Sequence, residues 1–152
     1  MKLLNVGDNI PNFECYDVDG NLFTEKNLLG KKTIIFFYPK ANTPGCTAQA
    51  CNLSENYTAL ENHGYSVIGV SADKVDAQQK FSSKYGGFKY PLLSDIDKKM
   101  IKSFGVWGLK KFMGKEFMGI LRTTFIVDRD LKILRIIDKV KTKDHANQIL
   151  NE

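Results

Sequence analysis

The stretch TIIFFYPKANTPGCTAQAC, from Thr33 to Cys51, decides the fold of this chain. Thr33–Tyr38 is a short, continuous apolar run rich in β-forming residues, which is typical of a buried strand. Thr43 and Pro44 have the chemistry of a helix N-cap and of a first helical position, so a helix is predicted to begin there. A strand, a short loop and a helix in this order indicate an α/β fold.

The first turn of the predicted helix contains Cys46. Free backbone N–H groups and the positive end of the helix dipole favour an anionic side chain at this position, and such sites favour the reactive thiolate. Gly45 lets a small substrate approach the backbone closely. We therefore interpret Cys46 as a reactive thiol rather than as an inert small hydrophobe.

A second cysteine, Cys51, follows on the same predicted helix. In an ideal helix the Cα atoms of Cys46 and Cys51 lie about 9 Å apart, whereas a disulfide needs less than about 7 Å. If the two residues pair, the first turns of the helix must unwind. Taken alone, the position of Cys51 is as compatible with an inert cysteine as with a reactive one. Cys15 lies on a predicted strand and is interpreted as a buried, unreactive thiol.

The rest of the chain alternates between strands and helices after an initial hairpin. The hairpin is indicated by Phe13–Asp17 and Asn21–Thr24 around the turn Asp19–Gly20. The other predicted strands are Tyr65–Ser71, Leu92–Leu93, Ile120–Val127 and Lys132–Ile137. The predicted helices are Pro44 to about Asn62, Val75–Tyr85, Ile96–Phe104 and Lys143–Leu150. Together they predict an α/β fold with a central mixed β-sheet flanked by helices, and residues 1–152 are expected to form one domain.

Composition excludes several functional classes. The net charge of +5 comes from lysines spread along the chain, so a nucleic-acid surface is not indicated. No signal peptide or membrane-spanning run is recognised, which predicts no membrane partner. Three cysteines are too few for a secreted disulfide scaffold and indicate a reducing compartment, so we expect the cytoplasm. His63 and His145 lack ligand spacing and are expected on the surface, so no metal site is predicted.

Several segments together resemble one family. Pro39, Thr43 and Cys46 match the PxxxTxxC motif of peroxiredoxins. The string FYPKANTPGCTAQAC resembles the bacterioferritin-comigratory, or peroxiredoxin Q, subfamily, as do WGLKKFMGKEFMGILRTTFIVD at Trp107–Asp128 and the opening GDNIPNFECYDVDG. The resemblance implies a thioredoxin-like fold and a thiol peroxidase that needs no cofactor.

The resemblance also implies a role for each matched residue. Cys46 corresponds to the peroxidatic cysteine, which forms a sulfenic acid, and Cys51 to the resolving cysteine that joins it in an intramolecular disulfide. Thr43 would hold the peroxide, and Pro39 would shield the pocket from water. Arg122 would stabilise the thiolate and the peroxide.

The residues themselves, apart from the resemblance, bear on two candidates for the site. Arg122 lies within the otherwise apolar and β-branched stretch ILRTTFIV, and its five fixed donors suit an anionic sulfur and polar oxygens. Gln49 lies three residues after Cys46 on the same helix face. It has two interpretations, a supporting hydrogen bond or ordinary helix-surface polarity.

Large apolar side chains cluster in a glycine-rich segment that is expected to be a loop. The cluster comprises Trp107, Phe112, Met113, Phe117 and Met118. We expect these side chains to pack over the domain. The alternative is a rim around the peroxide pocket that favours organic hydroperoxides.

The predicted function is an atypical two-cysteine peroxidase. Its substrates would be hydrogen peroxide and alkyl hydroperoxides, and its reductant thioredoxin or glutaredoxin acting by thiol exchange. A monomer is expected. A dithiol oxidoreductase is disfavoured because such enzymes on this fold use CxxC. The remaining alternative is a redox sensor or holdase that uses the same disulfide as a switch.

Overall fold

The computed structural model describes residues 4–151 as a layered arrangement of nine strands and five α-helices. The strands are β1 (Glu14–Asp17), β2 (Leu22–Thr24), β3 (Lys32–Phe37), β4 (Tyr65–Ser71), β5 (Leu92–Ser94), β6 (Trp107–Phe112), β7 (Lys115–Ile120), β8 (Thr123–Val127) and β9 (Ile133–Ile137). The helices are α1 (Pro44–Glu55), α2 (Tyr57–Asn62), α3 (Val75–Lys84), α4 (Lys99–Ser103) and α5 (His145–Asn151).

Seven of the strands form one mixed sheet in the order β2-β1-β5-β4-β3-β8-β9. Strand β3 pairs in parallel with β4 and antiparallel with β8. The N-terminal hairpin of β1 and β2 joins the sheet through an antiparallel pairing of β1 with β5. The predicted α/β class, the mixed central sheet and the initial hairpin are therefore confirmed.

Both faces of the central strand are buried, which explains why β3 reads as a continuous apolar run. Ile35 and Phe37 belong to the apolar cluster on one face, whereas Ile34 and Phe36 belong to the cluster on the other. Leu53 of α1 packs in this second cluster. Full burial of one such side chain contributes about 1.5–3 kcal/mol, so β3 and α1 are firmly held around the loop between them.

Two predicted helices differ from the structure by more than two residues at one end or are interrupted. The helix predicted from Pro44 to about Asn62 is interrupted at Asn56, whose side-chain amide donates to the carbonyl of Asn52 over 2.8 Å. Asparagine competes with the helical backbone in this way. The helix predicted to begin at Ile96 begins only at Lys99, because Lys98 has a left-handed φ of 64°.

The glycine-rich segment, predicted to be a loop, is instead a separate β-hairpin formed by β6 and β7. Its turn is formed by Met113 and Gly114, which both have positive φ, as a two-residue hairpin turn of type I′ requires. The strand predicted over Ile120–Val127 is consequently divided. Leu121 donates its N–H to the carbonyl of Val106 over 2.7 Å and separates β7 from β8.

His145 is buried, so its expected surface position is wrong. Its Nδ1 lies 2.8 Å from Oε1 of Gln148, and its Nε2 lies 2.8 Å from the hydroxyl of Thr124. Oε1 of Gln148 also accepts the N–H of Lys141, so Nδ1 is the donor and Nε2 accepts the hydroxyl proton. Burial is the main reason that the pKa of His145 falls to about 4.

This shift predicts a pH-dependent stability. In the unfolded chain a histidine takes up a proton near pH 6.5, whereas folded His145 does so only near pH 4, so the unfolded state binds more protons between these values. We expect the free energy of unfolding to fall by up to about 3 kcal/mol as the pH drops through this range. Urea unfolding at a series of pH values measures this change in the free energy of unfolding.

A variant without the imidazole of His145 tests the assignment. His145→Gln should flatten the pH dependence of the free energy of unfolding between pH 6.5 and 4. An identical pH dependence in wild type and His145→Gln would contradict the assignment.

Candidate active site

The site is built on the loop between β3 and α1. Thr43 has an extended backbone (φ −98°, ψ 155°), and α1 begins at Pro44, as the sequence predicts. Cys46 therefore lies in the first turn of α1, where only 1% of its surface is exposed. This position combines burial with the positive end of the helix dipole.

Thr43 does not cap the helix with its side chain, which corrects the prediction. Its hydroxyl instead donates to the carbonyl of Lys40 over 2.7 Å and closes the turn that precedes α1. A hydroxyl that donates in this way keeps its acceptor lone pairs. The Thr43 oxygen is thus fixed in orientation close to the start of the helix.

Arg122 links Cys46 to Gln49. Its Nη2 donates to Sγ of Cys46 over 3.3 Å, and its Nη1 donates to Oε1 of Gln49 over 2.7 Å. Gln49 is fully buried, so the interpretation as ordinary surface polarity is wrong and the supporting hydrogen bond is confirmed. The hydrogen bond of Nη1 to Gln49 orients the planar guanidinium, and the other nitrogen, Nη2, contacts the sulfur of Cys46.

Gly45 allows this close approach. A Cβ atom at Gly45 would lie 3.2 Å from Nη2 of Arg122. A side chain at this position would therefore press on the guanidinium that contacts Cys46. The sequence indicated open space for a substrate at Gly45, and in the structure part of that space is filled by Arg122.

Hydrogen bonds among buried and partly buried polar groups anchor the loop between β3 and α1. A carboxylate oxygen of Asp73 accepts the N–H of Ala41 over 2.8 Å and the hydroxyl of Ser71 over 2.7 Å. The hydroxyl of Tyr38 donates to Oε1 of Gln78 over 2.6 Å, and burial raises the pKa of Tyr38. No sequence pattern indicates this support, because its polar residues are ordinary in type and the contacting elements are far apart along the chain.

The other two cysteines have different environments. Cys51 lies in α1, is partly exposed, and is a free thiol like Cys46. Burial and the negative charge of Glu55 raise the pKa of Cys51. Cys15 is 3% exposed, with Sγ 3.8 Å from a carboxylate oxygen of Asp95, and burial raises its pKa further. The predicted burial of Cys15 is confirmed.

The apolar cluster of the hairpin does not pack over the domain as expected. Phe112, Met113, Phe117 and Met118 have exposed fractions of 67%, 86%, 47% and 51%. Only Trp107, at the base of the hairpin, packs against the core. The remainder is exposed because β6 and β7 pair with each other and not with the central sheet. The alternative, a rim around the peroxide pocket, stays a prediction.

The sequence also gave no signal for Lys110 on β6. Its Nζ donates to the carbonyl of Ile120 over 3.0 Å, two residues before Arg122. Burial and the positive charge of Arg122 lower the pKa of Lys110, and the negative charge of Cys46 opposes this. In a segment expected to be a loop, no sequence pattern distinguishes a partly buried lysine from a solvent-exposed lysine.

Comparison with known proteins identifies the family. The model of the AhpC/TSA family matches residues 6–136. Peroxiredoxin Bcp of Escherichia coli (strain K12) is 42% identical over 151 residues, covering 99% of this chain and 96% of the relative. The chain belongs to the AhpC/TSA family. Because its relatives are peroxiredoxins, we identify the chain as a peroxiredoxin. It has thiol peroxidase activity and uses peroxide substrates and a thiol reductant.

Solved structures agree with this membership. Xylella fastidiosa PrxQ, as a cysteine-to-serine mutant, superposes with a TM-score of 0.91 at 29% identity over 99% of this chain and 96% of that one. Peroxidoxin BcpB of Mycobacterium tuberculosis gives 0.84 at 36% identity over 97% and 94%. The thioredoxin-like fold expected for this peroxiredoxin is confirmed. Within residues 4–151, no helix is long and apolar enough to cross a membrane.

Proposed function

We propose that this peroxiredoxin reduces hydrogen peroxide and alkyl hydroperoxides with Cys46 as the nucleophile. The observation that carries the proposal is the 3.3 Å contact of Arg122 Nη2 with Sγ of Cys46 at the start of α1. The thiolate attacks one peroxide oxygen, the O–O bond breaks, and the other oxygen leaves and is protonated to water or an alcohol. Cys46 becomes a sulfenic acid, oxidised by two electrons.

Neighbouring residues receive supporting roles in this proposal. Arg122 stabilises the thiolate and the charge that develops on the leaving oxygen. Thr43 offers its hydroxyl oxygen as an acceptor to the peroxide proton, and Gly45 leaves room for the substrate. Pro39, which is half-buried in the loop after β3, limits the access of water. Alkyl hydroperoxides are included because the similar bacterioferritin comigratory protein of Xanthomonas campestris is described with alkyl peroxide reduction activity.

The second step forms a disulfide between Cys46 and Cys51. The thiol of Cys51 attacks the sulfenic sulfur, and water leaves with the oxygen. Both residues lie within α1, so the start of the helix must unwind before the sulfur atoms can meet. The hydrogen bonds from Arg122 to Gln49 and from the hydroxyl of Tyr90 to the carbonyl of Ala50 lie within the unwound turns.

Asn52 marks where this unwinding ends. Its Nδ2 donates to the carbonyl of Lys143 over 3.1 Å, and its Oδ1 accepts the N–H of Ala146 over 2.8 Å. These bonds attach α1 to the start of α5. Because Asn52 directly follows Cys51, the attachment lies immediately beyond the second cysteine. The remainder of α1 can thus stay folded while residues 44–51 rearrange.

An external dithiol completes the cycle by reducing the disulfide through thiol exchange. We assign this role to thioredoxin, with glutaredoxin as the alternative donor. The partly exposed Cys51 is the sulfur that such a protein reaches from solvent. The enzyme is proposed to act as a monomer in the cytoplasm, in keeping with its three free cysteines.

Mass spectrometry tests the cycle directly. After one equivalent of hydrogen peroxide, alkylation and peptide mapping, we expect the loss of two hydrogens and a Cys46–Cys51 bond. One added oxygen on Cys46 with Cys51 still free would instead establish a one-cysteine mechanism. Repeated turnover with thioredoxin distinguishes the peroxidase from a sensor or holdase, which would oxidise once and then stop.

Substitution of the resolving cysteine gives a further prediction. Cys51→Ser should consume one equivalent of peroxide and then stall, or advance to the sulfinic acid, because the sulfenic acid has no partner. Thioredoxin-linked NADPH oxidation measures the loss of continued turnover. Cys15→Ser, which removes a buried thiol elsewhere, should turn over normally. Unchanged turnover in Cys51→Ser would reject Cys51 as the resolving residue.

A further inference from the structure

The peptide bond between Lys40 and Ala41 is hydrogen-bonded on both of its sides. Its N–H donates to a carboxylate oxygen of Asp73 over 2.8 Å, and its carbonyl accepts the hydroxyl proton of Thr43 over 2.7 Å. A trans peptide is planar, so its N–H and its carbonyl point in opposite directions. The carboxylate on one side therefore fixes the direction of the carbonyl that receives the proton of Thr43 on the other.

Hydrogen bonds from two directions converge on the carboxylate of Asp73. The oxygen that accepts the N–H of Ala41 also accepts the hydroxyl proton of Ser71 over 2.7 Å. The oxygen of Ser71 in turn accepts a proton of the Gln78 side-chain amide over 3.0 Å. Ser71 and Gln78 are both fully buried, so the core of the protein holds this carboxylate in place.

The loop needs such an attachment because of Asn42, which lies between Ala41 and Thr43. Asn42 has a left-handed φ of 60°, a conformation that is uncommon for residues other than glycine. Local backbone preference therefore does not set the path of the chain here. The side-chain oxygen of Asn42 accepts exposed bonds from Lys84 and Tyr85 that are long, at 3.3 and 3.4 Å. The shorter and less exposed attachment is the one to Asp73.

We propose that Asp73 is a positioning residue for the reaction with peroxide, and that it acts through the Lys40–Ala41 peptide on the hydroxyl of Thr43. In this arrangement the hydroxyl proton points to the carbonyl of Lys40, and the oxygen lone pairs stay available to accept the peroxide proton. Without the carboxylate the peptide can turn, and Thr43 loses its fixed acceptor direction. The inference rests on the proposed peroxidase function and on the role of Thr43 in it.

A double-mutant cycle tests the inference. The second-order rate constant for oxidation of Cys46 by hydrogen peroxide is measured by rapid quenching in wild type, Asp73→Ala, Thr43→Val and the double variant. We expect Asp73→Ala to lower this rate constant about tenfold when Thr43 is present, and by less than about twofold in the Thr43→Val background. The second effect is small because the group through which Asp73 acts is already absent.

Alkylation by iodoacetamide without peroxide separates positioning from a general disturbance of the site. Iodoacetamide reacts with the thiolate but brings no peroxide proton for Thr43 to accept. The rate of alkylation at Cys46, located by peptide mapping, should therefore be the same in Asp73→Ala as in wild type. Asp73→Asn keeps an oxygen that can accept the N–H of Ala41, so its rate constant with peroxide should lie between those of wild type and Asp73→Ala.

Asp76→Ala is the matched control, because it removes a carboxylate from the first turn of the neighbouring helix α3. Asp76 is exposed, and its carboxylate accepts the N–H of Ala77 over 3.0 Å. This variant should keep the rate constant of the parent protein with either residue at position 43.

Three results would overturn the inference. They are a wild-type rate constant in folded Asp73→Ala, losses from Asp73→Ala and Thr43→Val that multiply in the double variant, and an equal slowing of peroxide and iodoacetamide. If Asp73→Ala does not fold, the same cycle with Asp73→Asn decides by the same criterion. A wild type that is alkylated at Cys46 but is not oxidised by hydrogen peroxide would refute the proposed peroxidase function, and this inference with it.

Discussion

Replacing Cys46 by serine is expected to abolish peroxide reduction, with a loss of at least about a thousand-fold. A serine hydroxyl is not ionised at neutral pH and does not form the counterpart of a sulfenic acid, so neither Arg122 nor the helix dipole can activate it. The measurement is hydrogen peroxide consumption in the presence of a reducing system. The fold should persist because the two side chains are similar in size and Cys46 forms no disulfide.

Cys15→Ser makes the same chemical change at the other buried thiol and serves as the control. Cys15 lies beside Asp95 and Met100, within a different apolar cluster from that of Cys46. Its variant should keep the wild-type rate. Wild-type peroxide consumption by Cys46→Ser would remove the basis of the proposed function.

Arg122→Met is expected to slow the oxidation of Cys46 by hydrogen peroxide about 100- to 1,000-fold. The substitution removes the donor to Sγ and leaves Oε1 of the fully buried Gln49 without its partner. Arg122→Lys should fall between wild type and Arg122→Met, because one ammonium group lacks the geometry of the guanidinium fork. The measurement is the second-order rate constant from rapid quenching.

The exposed Arg129 provides the control for the loss of one positive charge. Arg129→Met should oxidise at the wild-type rate. Circular dichroism of Arg122→Met establishes that the variant is folded. A rate within a factor of about three of wild type in folded Arg122→Met would exclude Arg122 from the chemistry.

The features that the sequence predicted are those fixed by neighbouring residues. The turn from Thr43 to Cys46 contains the start of α1, and the cysteine position follows from that start alone. The apolar run of β3 identifies a strand buried on both faces. The family resemblance of the segment Trp107–Asp128 then adds Arg122, which composition and spacing indicate only weakly.

The features that the sequence missed depend on tertiary contacts. Arg122 and Gln49 are 73 residues apart, so no local pattern distinguishes the buried Gln49 from a surface residue. His145 is buried through partners on β8 and α5, which a lone histidine does not reveal. The hairpin of β6 and β7 was missed because its strands carry lysines and glycines in place of alternating apolar residues.

The hydrogen bond from Tyr90 to the carbonyl of Ala50 has a kinetic consequence in the proposed cycle. A net hydrogen bond contributes about 1 kcal/mol, so it lowers the population of unwound helix about fivefold. While α1 stays wound, a sulfenic acid on Cys46 is held away from Cys51 and can meet a second peroxide molecule, which yields the irreversible sulfinic acid. The branching ratio between recycling and permanent inactivation is therefore set partly by a tyrosine that takes no part in the chemistry of either sulfur.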